Sequence, residues 1–385
     1  MFERLLAAAA AVPLRAGRPG RELGARVDMV ASGGFRQSWR RRSEEPLLRS
    51  YRAGVYHDLW SEAADALGAV VHPRSSGLLE IRLGTQRTWV YQQEAALDHA
   101  VTLRASLDKS LTHELLAAAG VPTPDHVECD VRLLRPALGF LQEHPAGVVV
   151  KPAGGTGGGI GITADVRTEL QLRRAVLLAA RKAQHVLVEA KVPGHVHRLL
   201  FMDGELLDVV RREPPHVVGD GTSSVRSLIE HENAARLRAM GRKAPALLTT
   251  TVDCVFTLAN AGLELSSVPE RGRRVQVKAT TNQAGPADCH TERTPLEPEL
   301  LRQVTAAVTA TELRLAGVDL ITTDLAQPLA QTGGAVVEVN GHPALHHHYQ
   351  VADPAGATRV CIPVLRRVLA TRATWPGEPG AATPR

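Results

Sequence analysis

Apolar positions in the first hundred residues follow two different periods. From His57 to Leu67 they recur at the spacing of an amphipathic helix, whereas Gly77–Leu83 and Thr88–Tyr91 alternate as a half-buried strand does. We therefore expect a small α/β lobe over residues 1–104.

The extreme N-terminus carries an apolar, alanine-rich stretch from Leu5 to Leu14. Glu3 and Arg4 precede it and Pro13 interrupts it, so an alanine-rich helix fits better than a signal peptide. No apolar run reaches the ~20 residues that a membrane-spanning helix needs. The sequence therefore predicts no membrane partner.

A clearly bounded helix and a strand follow this lobe. Asp108 is a natural N-cap for a helix over Lys109–Ala119, which Gly120 ends. The β-branched run Val148–Pro152 predicts a strand that leads directly into the glycine loop Gly154–Gly161.

The rest of the chain alternates between helical and extended patterns. Asp203-Gly204 favours a tight hairpin turn between two apolar runs, because both residues tolerate a positive φ angle. The other predicted elements are helices over Thr168–Lys182, Ser223–Met240 and Glu297–Leu315 and extended segments over His185–Val192, Val275–Lys278 and Ala335–Val339.

Composition narrows the classes of function. The 385 residues are 44% hydrophobic, enough for a substantial core, and the formal charge of +5 is too dilute to indicate a nucleic-acid partner. The densest basic run, Arg36–Arg42, is followed at once by Glu44 and Glu45, which is typical of a solvated face. Four scattered cysteines without a C-x-x-C pair indicate a reduced, cytoplasmic setting.

The glycine loop is the first motif that carries chemistry. Its glycines allow successive backbone N–H groups to approach phosphate oxygens, and Lys151 just before it would add an ammonium group. No Gly-Lys-Ser/Thr ends the loop and it does not fit G-x-G-x-x-G, so it is neither a Walker A nor a dinucleotide loop. A flexible linker is the alternative.

The second motif is the strand Glu338-Val339-Asn340. Residues two apart on a strand share a face, so a carboxylate and an amide oxygen lie side by side and can bind Mg²⁺. Either Asp319 or Asp324, on the preceding apolar segment, can supply a further carboxylate.

Four histidines follow this strand, at His342 and at His346, His347 and His348. Imidazoles can bind zinc or nickel, but consecutive histidines do not easily face one ion. Residues that line a substrate pocket are the favoured interpretation.

The order of these motifs resembles the ATP-grasp superfamily over about residues 101 to 350. The ATP-grasp domain of cyanophycin synthetases is the most similar, and the stretch Asn340–His348 also resembles bifunctional glutathione synthetases. The motifs that carry the resemblance are Asp108-Lys109, Val149-Val150-Lys151-Pro152, the glycine loop, Val188-Glu189, Pro193-Gly194-His195-Val196-His197-Arg198, Arg211-Arg212-Glu213-Pro214, Gly219-Asp220-Gly221, Gly317-Val318-Asp319 and Glu338-Val339-Asn340.

The resemblance implies an α/β (α+β) ATP-grasp fold, in which two α/β lobes grip ATP. It implies ATP contacts for Lys109, Lys151, Gly154, Gly155, Thr156, Gly157, Gly158, Gly159, Glu189, Ala190, Lys191, Val192 and His197. It implies Mg²⁺, with Mn²⁺ as an alternative, at Asp319 or Asp324, Glu338 and Asn340. Catalytic roles are implied for Arg198, Arg212, Lys278 and Asn282, the three cations neutralising the transferred phosphoryl group.

The chain departs from the family pattern at several points. Val196 stands where relatives usually place an acid that holds the ribose, and Lys278 stands where an arginine is common. The segment after Asn282 is shorter than in cyanophycin synthetases, which also continue into a Mur-ligase-like domain, so polymer synthesis is not assigned.

These features predict an ATP-dependent ligase that joins a carboxylate to an amine through an acyl phosphate. Small-molecule substrates are expected, the first of them anionic, and a homodimer is a possibility that the family suggests. A nucleotide-binding module without turnover and a tripeptide-forming enzyme like glutathione synthetase are the alternatives. The expected domains are residues 1–104, an ATP-grasp unit over 105–350 with a central subdomain at about 122–193, and a helix with a disordered tail over 351–385.

Overall fold

The computed structural model describes residues 35–154, 159–239 and 246–371. The alanine-rich stretch Leu5–Leu14, loop residues 155–158 and the tail 374–385 therefore lie outside the described residues. Among the helices in these ranges, none combines the length and the apolarity that crossing a bilayer requires. The predicted α/β class is confirmed, because helices accompany several antiparallel sheets.

The N-terminal part is a helix against a four-stranded sheet. The elements are helix α1 (Phe35–Leu67) and strands β1 (Val70–Pro73), β2 (Leu78–Leu83), β3 (Gln86–Tyr91) and β4 (Glu94–Ala95), in sheet order β1-β2-β3-β4. Buried Tyr56 and Trp60 on α1 pack with Leu79 and Ile81 of β2. The predicted helix and both strands are present, and the helix begins earlier than expected.

The next part forms a smaller lobe around a second sheet. Its elements are helices α2 (Ala100–Ala105) and α3 (Lys109–Ala118), strand β5 (His126–Asp130), helix α4 (Arg135–Glu143), strands β6 (Val148–Pro152) and β7 (Thr163–Val166), helix α5 (Glu169–Ala179) and strand β8 (His185–Ala190). The strands pair antiparallel in the order β5-β8-β6-β7. As predicted, the Asp108 side chain caps α3 by accepting a hydrogen bond from the Leu111 backbone N–H.

A five-stranded antiparallel sheet forms the larger lobe, in the order β13-β10-β9-β14-β15. It begins with strands β9 (His195–Met202) and β10 (Glu205–Arg212), joined by the predicted turn, in which Asp203 and Gly204 have φ angles of +49° and +81°. Strand β11 (His216–Val218) and helices α6 (Val225–Arg238) and α7 (Val252–Asn260) then lead to strand β12 (Arg274–Gln276), which pairs with β11.

The remaining elements complete the large sheet and return the chain to the N-terminal part. They are strand β13 (Cys289–Thr291), helix α8 (Pro298–Ala310), strand β14 (Leu315–Thr322), helix α9 (Leu329–Thr332), strand β15 (Ala335–Asn340) and helix α10 (Cys361–Thr371). Short 3-10 turns lie at Ser75–Gly77, Pro286–Asp288, Leu345–His348 and Pro354–Gly356.

Strand β9 is buried on both faces, and this burial positions the candidate site. Leu199 and Phe201 pack toward α3 and α8, while Leu200 and Met202 pack into the core shared with α1 and α10. The large sheet therefore stands between two apolar cores, and Arg198, Asp319 and Glu338 lie side by side on β9, β14 and β15.

One predicted helix was too long. The expected helix over Glu297–Leu315 ends at Ala310, and Leu315 instead begins β14. Glu312 has a φ angle of +57°, which turns the chain out of the right-handed helix. The leucines after it fit a helical period and a buried strand equally well, so periodicity did not reveal the boundary.

Candidate active site

A cavity of about 750 Å³ lies between the smaller and the larger lobes. Lys151 lines it from β6, and Glu338 lines it from β15. The glycine-loop strand and the acid-amide strand, almost 190 residues apart in the sequence, therefore face one space. The predicted site residues that line this cavity are Lys151, Gly159, Glu189, Ala190, Lys191, Val192, Arg198, Arg212, Asn282, Asp319, Glu338 and Asn340.

Lys109 and Gly154 meet at the edge of this space, next to the glycine loop. The Lys109 backbone N–H donates to the Ala153 carbonyl at 3.0 Å, and Asp108 pairs with Gly154 as an isolated β-bridge. The buried Lys109 ammonium lies 3.5 Å from Oε1 of Glu338. The first residue of α3 thus connects the start of the glycine loop with the acid-amide strand.

A buried ion pair holds the second lysine. Lys151 Nζ lies 2.5 Å from Oε2 of Glu189, and Glu189 is only 2% exposed. Burial raises the pKa of the Glu189 carboxyl, but the charge of Lys151 and the hydrogen bond to His113 outweigh it, so the pKa is lowered. The Glu189 carboxyl therefore carries its negative charge at neutral pH.

The acidic and amide side chains lie side by side across two strands. In the register of β14 with β15, Asp319 is opposite Glu338 and Gly317 is opposite Asn340. Asp319 accepts two hydrogen bonds from Arg198, from Nε at 2.6 Å and from Nη2 at 2.8 Å. The Asn340 amide nitrogen lies 3.4 Å from Oδ2 of Asp319.

This donor set fits Mg²⁺, a hard cation that binds carboxylate and amide oxygens. Among the described residues, no group of three or more His, Cys, Asp or Glu side chains could hold a metal ion, so an ion on Asp319 and Glu338 would need oxygens of another kind, which the amide group of Asn340 can supply. The same observation gives no support to a transition-metal site at the histidine cluster.

Two arginines supply positive charge near these oxygens. Arg212 is 5% exposed, and its Nη2 donates to the Thr281 carbonyl at 2.7 Å. Its Nε is buried without a hydrogen-bond partner. Burial and the neighbouring charge of Arg198 lower the pKa of Arg212. A buried, incompletely paired guanidinium group at a cavity wall is suited to bind an anion.

Asn282 lies against the end of the glycine loop. Gly159 has a φ angle of +74°, and a Cβ atom built on it would lie 2.6 Å from the Asn282 side-chain nitrogen. Only glycine fits this close approach. The structure thereby brings the two predicted residues into contact.

Two predicted residues point elsewhere because of strand alternation and loop position. His197 does not line the cavity; it shares the face of Leu199 and Phe201, opposite to that of Arg198. Asp324 lies beyond the end of β14, is exposed, and accepts a hydrogen bond from the Ala326 backbone N–H. Of the two aspartates considered for the metal, only Asp319 lies in the cavity.

Lys278 does not reach the cavity either. Its ammonium lies 2.8 and 3.0 Å from the two carboxylate oxygens of Asp253 on α7, and both side chains are buried. A buried lysine keeps the partner that compensates its charge, so Lys278 is engaged in holding α7 rather than exposed to a ligand.

Several cavity residues were missed from the sequence. Asp165, at a φ angle of +56°, binds Lys191 at 2.8 Å and accepts a hydrogen bond from the Asn260 side chain. Asn260 is 95 positions further along the chain. A single aspartate without a motif gives no sequence signal for such a contact.

The histidines divide between the cavity and the core. His342 and His347 line the cavity. His346 hydrogen-bonds to the Tyr56 hydroxyl at 2.8 Å, and His348 hydrogen-bonds to Asp208 at 2.7 Å. Two of the four histidines, His342 and His347, therefore line the cavity as expected, and the other two do not.

The chain is similar in sequence to two groups of known enzymes, as the motifs indicated. The chain is 32% identical over 254 residues to a cyanophycin synthetase from Trichormus variabilis, covering 66% of this chain and 28% of the relative. It is 31% identical over 248 residues to the glutathione biosynthesis bifunctional protein GshAB of Pasteurella multocida, covering 63% of this chain and 32% of the relative. The chain thus spans about a third or less of these relatives' length.

No family model matches the chain. The crystal structure of a bifunctional glutathione synthetase from Pasteurella multocida superposes with a TM-score of 0.50 at 23% identity, covering 79% of this chain and 41% of the other. At this identity the likeness shows the fold alone.

Proposed function

The chain has the ATP-grasp fold and is similar in sequence to cyanophycin synthetases and bifunctional glutathione synthetases, and on this basis we propose that it is an ATP-dependent carboxylate–amine ligase. The observation that carries the proposal is the single cavity that Lys151 and Glu338 line from opposite lobes. The phosphates of a nucleoside triphosphate need both cationic side chains and a metal ion held by acidic side chains.

The nucleotide would lie between the two lobes. Lys109 and Lys151 would contact its phosphates, the loop Gly154–Gly159 would close over them, and the strand end Glu189–Val192 would receive the adenine. The ion pairs support this placement, because the carboxylates of Glu338 and Glu189, which line the cavity, hold the two ammonium groups beside it.

Asp319, Glu338 and Asn340 would hold Mg²⁺, or alternatively Mn²⁺. When bound, the ion would neutralise charge on the phosphates. Arg198 holds the Asp319 carboxylate in its present orientation through two hydrogen bonds.

The chemistry follows from the reactivity of the substrates. A carboxylate oxygen attacks the γ-phosphorus of ATP and ADP leaves, which forms an acyl phosphate. An amine nitrogen then attacks the acyl carbon, and an amide, inorganic phosphate and a proton are released. Arg198, Arg212 and Asn282, which line the cavity, would stabilise the negative charge in these steps.

The proposal includes the class of substrate and the cellular compartment. An amino acid or small peptide would supply the carboxylate, and a small molecule would supply the amine. Four buried cysteines without disulfide bonds support a reduced cytoplasm as the compartment. Domain boundaries near residues 104 and 350, and assembly as a homodimer, stay predictions.

Formation of ADP tests the proposal. The protein is incubated with ATP, Mg²⁺ and a panel of amino acids and short peptides, and products are weighed by mass spectrometry. We expect ADP only with a carboxylate and an amine together, in step with an amide product. ADP without an amide would contradict the ligase function, and a tripeptide product would indicate the reaction of a glutathione synthetase.

Val196 favours one second candidate, a nucleotide-binding module without turnover. This apolar side chain lines the cavity at the position where family members usually place a ribose-binding acid. Titration with an ATP analogue, with Glu338→Ala as the comparison, separates the two: nucleotide binding without any turnover across the substrate panel would favour the module.

A further inference from the structure

A buried histidine lies directly behind the Lys151–Glu189 pair. His113 is 4% exposed, and its Nε2 lies 3.1 Å from Oε1 of Glu189, whose other oxygen contacts Lys151. Lys151 and Glu189 line the cavity, but His113 does not. The three side chains therefore form a row from the interior to the cavity wall.

We propose that His113 is a positioning residue that acts through Glu189 on Lys151, and that it thereby sets how tightly the site holds the phosphates of a nucleotide. The proposal rests on the function proposed above, and it names a residue that no motif of the sequence indicates.

The geometry of the sheet explains why Lys151 depends on this contact. Glu189 lies on β8 opposite Val149 of β6, and Lys151 is two residues further along β6 on the same face. The pair is therefore diagonal, and the flexible lysine side chain reaches sideways to its partner. A carboxylate anchored at its second oxygen gives the ammonium a fixed target.

Burial makes the anchor necessary. Glu189 lies away from water, so each of its oxygens needs a partner within the protein, and those partners are Lys151 and His113. Because a carboxylate oxygen can only accept, the Nε2–H of His113 would donate this hydrogen bond. Its Nδ1 is buried without a hydrogen-bond partner, and the ring of His126 covers it at a centroid distance of 4.3 Å.

Helix α3 connects this row with the other half of the site. His113 follows Lys109 by one helical turn, so the two side chains share a face of α3. Lys109 reaches Glu338 in the large sheet, while His113 reaches Glu189 in the small sheet. One helix thus bridges the two carboxylates that hold the lysines.

The test compares nucleotide binding in three variants of the full chain. Titration calorimetry with a non-hydrolysable ATP analogue and Mg²⁺ measures phosphate-dependent affinity, and competition with adenosine measures base and ribose contacts. His113→Leu should weaken the analogue on the order of tenfold, the size of a lost hydrogen bond to a charged group, and should weaken adenosine much less. His113→Gln, whose amide nitrogen occupies the place of Nε2, should restore the affinity.

His144→Leu is the control, since it removes a half-buried histidine of the same lobe that packs on Phe140 and contacts neither His113 nor Glu189. It should bind the analogue as the unmodified protein does. In the ADP assay, His113→Leu should raise KM for ATP and leave KM for the amine unchanged. If His113→Leu does not fold, His113→Asn, too short to reach Glu189, replaces it in the comparison with His113→Gln.

Three outcomes would overturn the inference: unchanged affinity in His113→Leu, no rescue by glutamine, or an equal loss for the analogue and adenosine, which would indicate a purely structural role. If the unmodified protein bound no nucleotide, the proposed function itself would fail.

Discussion

Acidic and basic side chains at the cavity are matched in pairs. Lys151 pairs with Glu189, Arg198 with Asp319, and Lys191 with Asp165. These carboxylates fix the positions of the cations, and the cations still line the cavity. A polyanionic ligand would then meet a wall whose charges need little rearrangement, which is the electrostatic preorganisation that phosphoryl transfer uses.

His197 illustrates how the fold, rather than the motif, decides which residues reach the ligand. Burial lowers its pKa to about 4, and its Nδ1 has no hydrogen-bond partner. The folded chain therefore binds fewer protons than the unfolded chain as the pH falls from about 6.5 to about 4, and stability is lost across this window.

We predict that His197 alone removes up to about 3 kcal/mol of unfolding free energy between pH 7 and pH 4. His197→Leu should flatten this dependence in urea titrations at several pH values, without abolishing it, because burial also lowers the pKa of His346, to about 3. Nucleotide affinity should stay unchanged. A loss of nucleotide affinity in this variant would indicate that His197 contacts the nucleotide, contrary to its place in the structure.

Gly159 offers a second test at this scale. Gly159→Ala should abolish most ligase activity, because the added Cβ meets Asn282 at 2.6 Å and the φ angle is positive. Gly204→Ala is the control, with a φ angle of +81° and nothing within 4 Å of the added Cβ. Both substitutions should cost about 1 kcal/mol of unfolding free energy from backbone strain, but only the first should reduce ADP formation. Equal activities would contradict the contact.

Among the secondary-structure elements, helix α7 is joined to the segment after β12 by a buried ion pair. Lys278, two residues after β12, contacts Asp253 in the first turn of α7, and both are almost fully buried. We predict that Lys278→Met costs about 3 kcal/mol of unfolding free energy, because Asp253 would stay as an uncompensated buried charge.

The double variant Lys278→Met, Asp253→Leu should recover most of that stability and also recover ADP formation. Urea unfolding and the ADP assay on the same samples give both quantities. A stable but inactive double variant would show that Lys278 acts on the substrate, as the resemblance to the family implied.

Elements with sharp end signals could be predicted from the sequence, and those without could not. Asp108 and Gly120 mark the limits of α3 to within a residue, and Asp203-Gly204 marks the hairpin. The boundary between α8 and β14 lacks such a signal, since Glu312 adopts its left-handed conformation only through its tertiary surroundings.

The same distinction holds for the whole molecule. Spacing along one strand predicted that Glu338 and Asn340 share a face, and order along the chain suggested a phosphate loop at Lys151. Contacts such as His113 with Glu189, 76 residues apart, and Asp165 with Asn260, 95 residues apart, depend on how sheets and helices pack. His197 could have been excluded from the sequence, because it alternates with Arg198 on one strand.

The two lobes pack so that the glycine-loop motif and the acid-amide strand, which are distant in the sequence, line the same cavity. The smaller lobe contributes Lys151, the larger lobe contributes Glu338, and Lys109 on α3 bridges the gap. The phosphate-loop lysine and the oxygen ligands of the metal ion lie on different lobes, so a metal-bound triphosphate would need both lobes.

A crystal structure with a non-hydrolysable ATP analogue and Mg²⁺ tests this arrangement most directly. We predict a triphosphate between the lobes, with the Lys109 and Lys151 ammonium groups on its phosphates and an ion on the oxygens of Asp319, Glu338 and Asn340. A nucleotide bound elsewhere, or one that contacts Lys151 while Glu338 faces a separate space, would contradict the account.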